Sequence, residues 1–469
     1  MQPENDGTES FWLFRAILLG ACLTLTTAPV VQAATEWELS EAQARRVASL
    51  DADQQHFIRS GAFMDFMPEG QMALALSSRD DTALRQLLSD LLTVAGEMGY
   101  NPERDMGTIP LNTASKSFNI GITLPGVLRR EERSPGPFSV HRYLFPGSGI
   151  PTFAGAPVAV WPEDLEAGQV DVAIVGIPND MGSGRRNAEH GPRAMRALNT
   201  IGLPDTQTLL DPMQVLSVVD YGDFAIDNMS TERTVDHVTA MVTETANTGA
   251  IPMMVGGDTS MLVPGVKGVA GAHGSDRLGL VHFSAHPDVD RAAVHSISDQ
   301  QALFILLRDG IVAGPDVIAV GLRGPALTLD SLQWLREQGV RYHTMAEINR
   351  QGAGPVLTRV RNELNGLPDK VFVSIDVSVL EPGDMVAAGR LLPNGLSAQD
   401  VTATIRHICA AREVVGFEIT DLAPMLDVSR LSVLHANAAL NACLGGIAAR
   451  HSGYLPDQIH PLARDHGQN

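Results

Sequence analysis

From Val170 onward the chain alternates short apolar runs with amphipathic stretches. Eight runs have strand length: Val170–Val175, Val215–Val219, Ile251–Val255, Leu278–Phe283, Val317–Val320, Val340–His343, Val371–Ile375 and Val414–Ile419. Most are continuously apolar and not alternating, which is the pattern of parallel strands covered by helices on both faces. Between them, Glu232–Asn247, Pro355–Leu364 and Ala398–Ala411 have helical length and spacing. The pattern predicts a large α/β domain, doubly wound or barrel. Upstream, from about Glu36 to Gly99, the period changes. Leu84, Leu87, Leu88, Leu91, Leu92 and Ala95 follow helical spacing behind Asp80 and Asp81, predicting an amphipathic helix that buries one face. Its polar face carries little Lys or Arg, which argues against a membrane-surface role.

Asn101 to Gly168 is rich in proline, and Phe118, Phe138, Tyr143 and Phe153 within it need burial. We read it as an ordered arm on the main domain. Ahead of everything, Ala16 to Val31 is apolar, follows Arg15 and runs into Val31-Gln32-Ala33-Ala34. That is the pattern of a secretory signal peptide, too short for a comfortable transmembrane helix, although Glu4, Asp6 and Glu9 stand where a positive region is usual. The expected organisation is therefore a signal peptide over 1–33, a helical and Pro-rich extension over 34–142, an α/β domain over 143–455 and a tail over 456–469. Export predicts a periplasmic or secreted chain with no membrane span in its mature form; the alternative is a cytoplasmic one.

Charge narrows the partners. With 34 Lys+Arg against 54 Asp+Glu the formal net charge is −20, and no basic stripe is available to neutralise phosphates, so nucleic acid is excluded as a partner. Cys22, Cys409 and Cys443 lie far apart and predict neither a disulfide framework nor a zinc site.

In a parallel sheet, ligands bind beyond the carboxyl ends of the strands, and polar clusters follow four of the runs. They are Gly256-Gly257-Asp258-Thr259-Ser260, Ser284-Ala285-His286-Pro287-Asp288, Ser374-Ile375-Asp376-Val377-Ser378 and Glu418-Ile419-Thr420-Asp421. A His and several carboxylates converging there suit a divalent metal such as Mn²⁺. Alternatively, Asp258, Asp288 and Asp376 cap the segments that follow them. The run Met181-Gly182-Ser183-Gly184-Arg185-Arg186 lacks a dinucleotide fingerprint, and no GxSxG elbow surrounds Ser260, Ser284 or Ser298.

These blocks, in this order, resemble the ureohydrolases (arginase, agmatinase, guanidinobutyrase). Val175-Gly176-Ile177-Pro178-Asn179-Asp180 and His190-Gly191-Pro192-Arg193-Ala194 are similar to the family's first strand and HGPRA-type helix start; Val281 to Asp288 to its HFDAHxD block; Val373 to Pro382 to its SIDxDxLDP block; Gly416 to Asp421 to GxDxxE. Pro146 to Phe153 resembles the arm of agmatinases more than that of arginases. The resemblance implies a three-layer α/β sandwich around a parallel eight-stranded sheet, carrying here a helical N-terminal extension. It also implies two Mn²⁺ ions bridged by a hydroxide that attacks a guanidinium carbon, and trimeric or hexameric assembly.

At the positions the family uses for metal ligands, this chain has Thr259, Ser284 and Ser378 in place of ligands and keeps His286, Asp288 and Asp376. Ser298 falls on the family's catalytic His, with His295 three residues earlier, and Asp421 falls on the Glu that grips the guanidinium. Two carboxylates then remain where the family sets four against a charge of +4, so one Mn²⁺ ion or none is expected. The resulting expectation is an impaired ureohydrolase that serves as a binding or partner subunit, as a homo-oligomer or with an intact paralogue. The alternatives are an active hydrolase with an altered metal site releasing urea from a guanidino compound, or a protein that binds such a compound through Asp421 without chemistry.

Overall fold

The computed structural model describes residues 37–98, 133–141, 149–183, 187–198, 201–274, 277–292 and 297–464. The apolar leader, Phe118, Tyr143 and His295 lie outside these residues. The chain divides into two compact units, Met1–Glu131 and Glu132–Asn469.

In the first unit the predicted helical stretch resolves into Glu41–Val47, Ala52–Arg59, Glu69–Ser78 and Asp81–Met98. Their starts are fixed by side chains that satisfy free backbone N–H groups: Ser40 in a capping box with Gln43, Asp51 accepting from Gln54 N, and Asp80 accepting from Ala83 N at 2.8 Å. Leu84, Leu88 and Leu91 are buried with Trp37, Phe57, Ile58, Phe63 and Met72 in a separate core.

The second unit is built on eight strands: β1 Val172–Gly176, β2 Val218–Asp223, β3 Ile251–Val255, β4 Gly279–Phe283, β5 Val317–Leu322, β6 Arg341–Thr344, β7 Lys370–Asp376 and β8 Glu413–Thr420. Each overlaps one of the eight apolar runs, β2 only at Val218 and Val219 because it begins three residues later than the run. All neighbouring pairs are parallel, in the order β2-β1-β3-β8-β7-β4-β5-β6. Alternate side chains of each strand enter opposite layers. Val281, Val373 and Phe417 pack with the helices Gly191–Leu198, Ala353–Glu363, Ala398–Ala411 and Leu431–His451, whereas Leu280, Phe372 and Val415 pack with Thr231–Asn247, Leu262–His273, Ala302–Arg308 and Leu329–Glu337. The three-layer sandwich is thus the architecture, with β3, β8, β7 and β4 adjacent at its centre. In the described part of the arm, Phe138 bridges to Val158 and Phe153 is buried beneath the Arg196 guanidinium, 4.1 Å from its ring centre.

One expectation is corrected. Cys409 and Cys443 are joined in a disulfide, with Cα atoms 5.3 Å apart, between the helices Ala398–Ala411 and Leu431–His451. These helices pack closely because Gly446 has no side chain; a Cβ there would lie 2.5 Å from the carbonyl oxygen of Arg406. A separation of 34 residues hid a pair that only the helix crossing brings together. The helix Leu431–His451 is apolar and long enough to cross a membrane, but most of its apolar window is buried inside the domain.

Candidate functional site

The four polar clusters meet beyond the carboxyl ends of β3, β4, β7 and β8. At their centre lies a side chain that the strand-end pattern did not indicate, Arg390, only 6% exposed. Its Nη1 donates to Asp288 Oδ1 at 2.7 Å, its Nη2 to Asp376 Oδ2 at 2.6 Å and to Thr259 Oγ1 at 2.9 Å, and its Nε faces Asp299 Oδ2 at 3.2 Å. Both terminal nitrogens of the guanidinium therefore donate to acceptors, while Nε makes an ion pair with Asp299 without a hydrogen bond. The backbone N–H of Arg390 donates to Asp421 Oδ2 at 2.8 Å, and its carbonyl lies 3.0 Å from His286 Nε2.

The neutral residues are knitted into the same cluster. Thr259 Oγ1 donates to Asp376 Oδ2 at 2.7 Å, Ser284 Oγ lies 3.4 Å from the same oxygen and accepts from His286 N at 3.0 Å, and Ser378 Oγ accepts from Ala285 N at 3.4 Å. Capping and clustering coexist: Asp258 accepts from Ser260 N and Asp376 Oδ1 from Ser378 N at the starts of short turns, while Asp376 Oδ2 faces Arg390. Asp258 Oδ2 also accepts from Gly182 N and Ser183 N, which ties down these two residues after β1. The Ser298 hydroxyl is buried and has no hydrogen-bond partner among the described residues.

Electrostatics follow from one buried cation among many acids. Burial opposes ionisation of Asp288 and Asp376, but the Arg390 charge outweighs it and holds both carboxyls below the ordinary range. Arg390 is in turn held well above its usual value by Asp288, Asp376 and Asp299 despite burial. Three acids lack enough of that charge. Burial lifts Asp258, lifts Asp299 to about 7, and lifts Asp421 well above the ordinary range, with Asp376 adding repulsion at Asp299 and Asp421. Behind them, His282 Nδ1, Ser374 Oγ and Glu418 Oε1 form a buried chain with spacings of 3.0 and 2.6 Å, and burial lifts Glu418 to about 8.

The sequence pattern led to His286, Asp288, Asp376, Thr259, Ser284 and Ser378, and the fold assembles all six. Asp421 touches the Arg390 backbone and is 1% exposed. Arg390 and Asp299 were missed as partners. A signal existed: Arg390 is the one basic residue between Lys370 and Arg406, and it follows Asp376 in a Gly- and Pro-containing loop.

A model of the arginase family matches residues 170–445, more than half of the chain. This chain belongs to the arginase family. It is 28% identical over 293 residues to a guanidinobutyrase of Pseudomonas aeruginosa, covering 62% of this chain and 90% of that one. The solved structure of proclavaminate amidino hydrolase from Streptomyces clavuligerus superposes with a TM-score of 0.59 at 26% identity, covering 65% and 99%. A formiminoglutamase of Trypanosoma cruzi solved with Mn²⁺ shares the fold, with a TM-score of 0.55 at 22% identity, covering 60% and 95%.

The residues of this arginase-family chain do not fit a pair of Mn²⁺ ions. Thr259, Ser284 and Ser378 offer neutral hydroxyls, the oxygens of Asp288 and Asp376 that face the centre are taken by the Arg390 fork, and His286 Nε2 is turned to a carbonyl. Among the described residues no group of three or more His, Cys, Asp or Glu side chains is arranged to hold a metal ion.

Proposed function

We propose that this arginase-family chain does not carry out binuclear metal hydrolysis and acts instead as a binding or partner subunit. The observation that carries the reading is the Arg390 guanidinium bonded to Asp288 and Asp376, two carboxylates at positions where the family resemblance implies metal ligands. A guanidinium coordinates no water and so offers neither the Lewis acid nor the open position that makes hydroxide available. Exposed apolar side chains concentrated over 425–434, namely Met425, Leu426, Val428, Leu431 and Leu434, support an association surface. On this reading the chain assembles with itself, as a trimer or hexamer, or with an intact paralogue. Export is also proposed, and the buried Cys409–Cys443 disulfide supports it, because such bonds persist in oxidising compartments.

The test is to purify the full chain and assay urea release from agmatine, arginine and guanidinobutyrate with added Mn²⁺. No turnover is expected, and co-purification from the native source should recover either the homo-oligomer or an intact arginase-family partner. Turnover that disappears in Asp376→Ala would overturn the proposal in favour of an active hydrolase.

A further inference from the structure

The cradle around Arg390 has a chemical selectivity of its own. A planar, Y-shaped cation donates to two different carboxylates from its terminal nitrogens, Asp288 at Nη1 and Asp376 at Nη2, and a third, Asp299, lies 3.2 Å from Nε. Thr259 adds an oxygen at 2.9 Å that both accepts from the guanidinium and donates to Asp376. Hydroxyl and carboxylate acceptors at separate terminal nitrogens suit a forked donor. A metal ion needs ligands converging on one point, and an ammonium offers a compact charge without the fork. The cradle is close to solvent on one side, because Arg390 borders a cavity of about 530 Å³ together with His286, Asp288, Gln300 and Asp330.

We propose that the cradle is a guanidinium-selective cation site which the chain fills in cis with Arg390. Removing that side chain leaves a site that takes a free guanidinium ion from solution through the adjoining cavity. This rests on the reading that the carboxylates hold Arg390 rather than manganese. It goes further by naming what the vacated cradle would bind and in what order of preference: guanidinium first, then ammonium, then a divalent metal.

The test uses the full chain carrying Arg390→Gly, with thermal unfolding followed in millimolar guanidinium chloride. Sodium chloride, ammonium chloride, urea and manganese chloride at the same concentration serve as controls for ionic strength, charge, shape and metal. The variant is expected to melt below the wild type and to recover part of the loss with guanidinium, more than with ammonium and not with sodium or urea. The wild type should not respond. Guanidinium acting no better than sodium, or manganese restoring more than guanidinium, would overturn the proposal. If Arg390→Gly does not fold, Arg390→Lys decides: it keeps the charge and loses the fork, so it should melt below the wild type, and an unchanged melting temperature overturns the proposal. Urea release by the wild type would overturn the proposed function whatever the variant does. An inactive wild type with an unresponsive variant overturns only the present inference.

Discussion

Two buried arginines of the same domain show what distinguishes a structural ion pair from the remains of a reaction centre. Arg406 faces one carboxylate: its Nε and Nη2 lie 2.9 and 2.7 Å from the two oxygens of Asp205, its Nη1 donates to Pro456 O, and Thr208 donates to the same Asp205. Burial raises Asp205, but the Arg406 and Thr208 hydrogen bonds outweigh it and hold the carboxyl low. Charges there balance one to one. Arg390 faces three carboxylates, with two more acids nearby, Asp258 and Asp421, that burial raises despite its charge. A fold that needed only a pair would not surround one guanidinium with such an excess. The surplus sits beyond β3, β4, β7 and β8, where the family resemblance implies a site built for more positive charge than one arginine brings.

The comparison breaks most sharply on removal of each cation. Arg390→Met strands Asp288 and Asp376 in the interior and should cost about 4 kcal/mol in urea unfolding, the range for breaking one side of a buried pair. Neutralising one carboxylate cannot restore it. Arg406→Met should cost less, and a second change, Asp205→Asn, should return most of the loss. Equal rescue in both clusters would erase the distinction.

Why one cluster was legible and the other partner was not follows from what sequence spacing encodes. Fully buried parallel strands read as continuous apolar runs, so all eight were found, and polar residues directly behind them, such as Asp288 and Asp376, were found with them. Arg390 reaches the same place from a loop 14 residues past Asp376, and no local period announces a long-range charge pair. Asp299 reaches Arg390 from the segment after Ser298, and no strand-end pattern marks it. The disulfide was missed for the same reason, since the crossing of two helices sets the distance between Cys409 and Cys443.

The Arg406 region is also held covalently, because Cys409 lies on the same helix. Reduction, or Cys409→Ala, should cost about 3 kcal/mol through loss of loop closure and should leave the Arg390 cluster intact. A drop in stability is expected; a free thiol at Cys409 or Cys443 in the native, unreduced chain would contradict the bond.

The two clusters should also differ in pH dependence. Asp299 at about 7 and Glu418 at about 8 bind protons in the folded state that they release when unfolded. Their contribution to stability is therefore full below the ordinary carboxyl range and is lost as pH rises through about 4 to 8. Asp288, Asp376 and Asp205 are lowered, so theirs is present above the ordinary range and lost as pH falls below it. Chemical unfolding at pH 5 and 8 should differ by several kcal/mol, on the order of 1.4 kcal/mol per pH unit for each group between its two pKa values, in favour of pH 5, and Glu418→Gln should flatten the upper part of that slope. A rise in stability over this interval that Asp299→Asn leaves untouched would contradict the assignment.

The smallest effect is expected at Thr259→Val, which removes the hydroxyl between Arg390 and Asp376 but keeps the volume. About 1.5 kcal/mol should be lost, the scale of a hydrogen bond to a charged group, with no change at the Arg406 pair.

Metal analysis of the full chain tests the central claim most directly. The protein should be saturated with Mn²⁺, passed through a desalting column and measured for bound metal with Arg390 intact. A cradle already filled by a guanidinium predicts metal far below one ion per chain, whereas two tightly held ions per chain would contradict it.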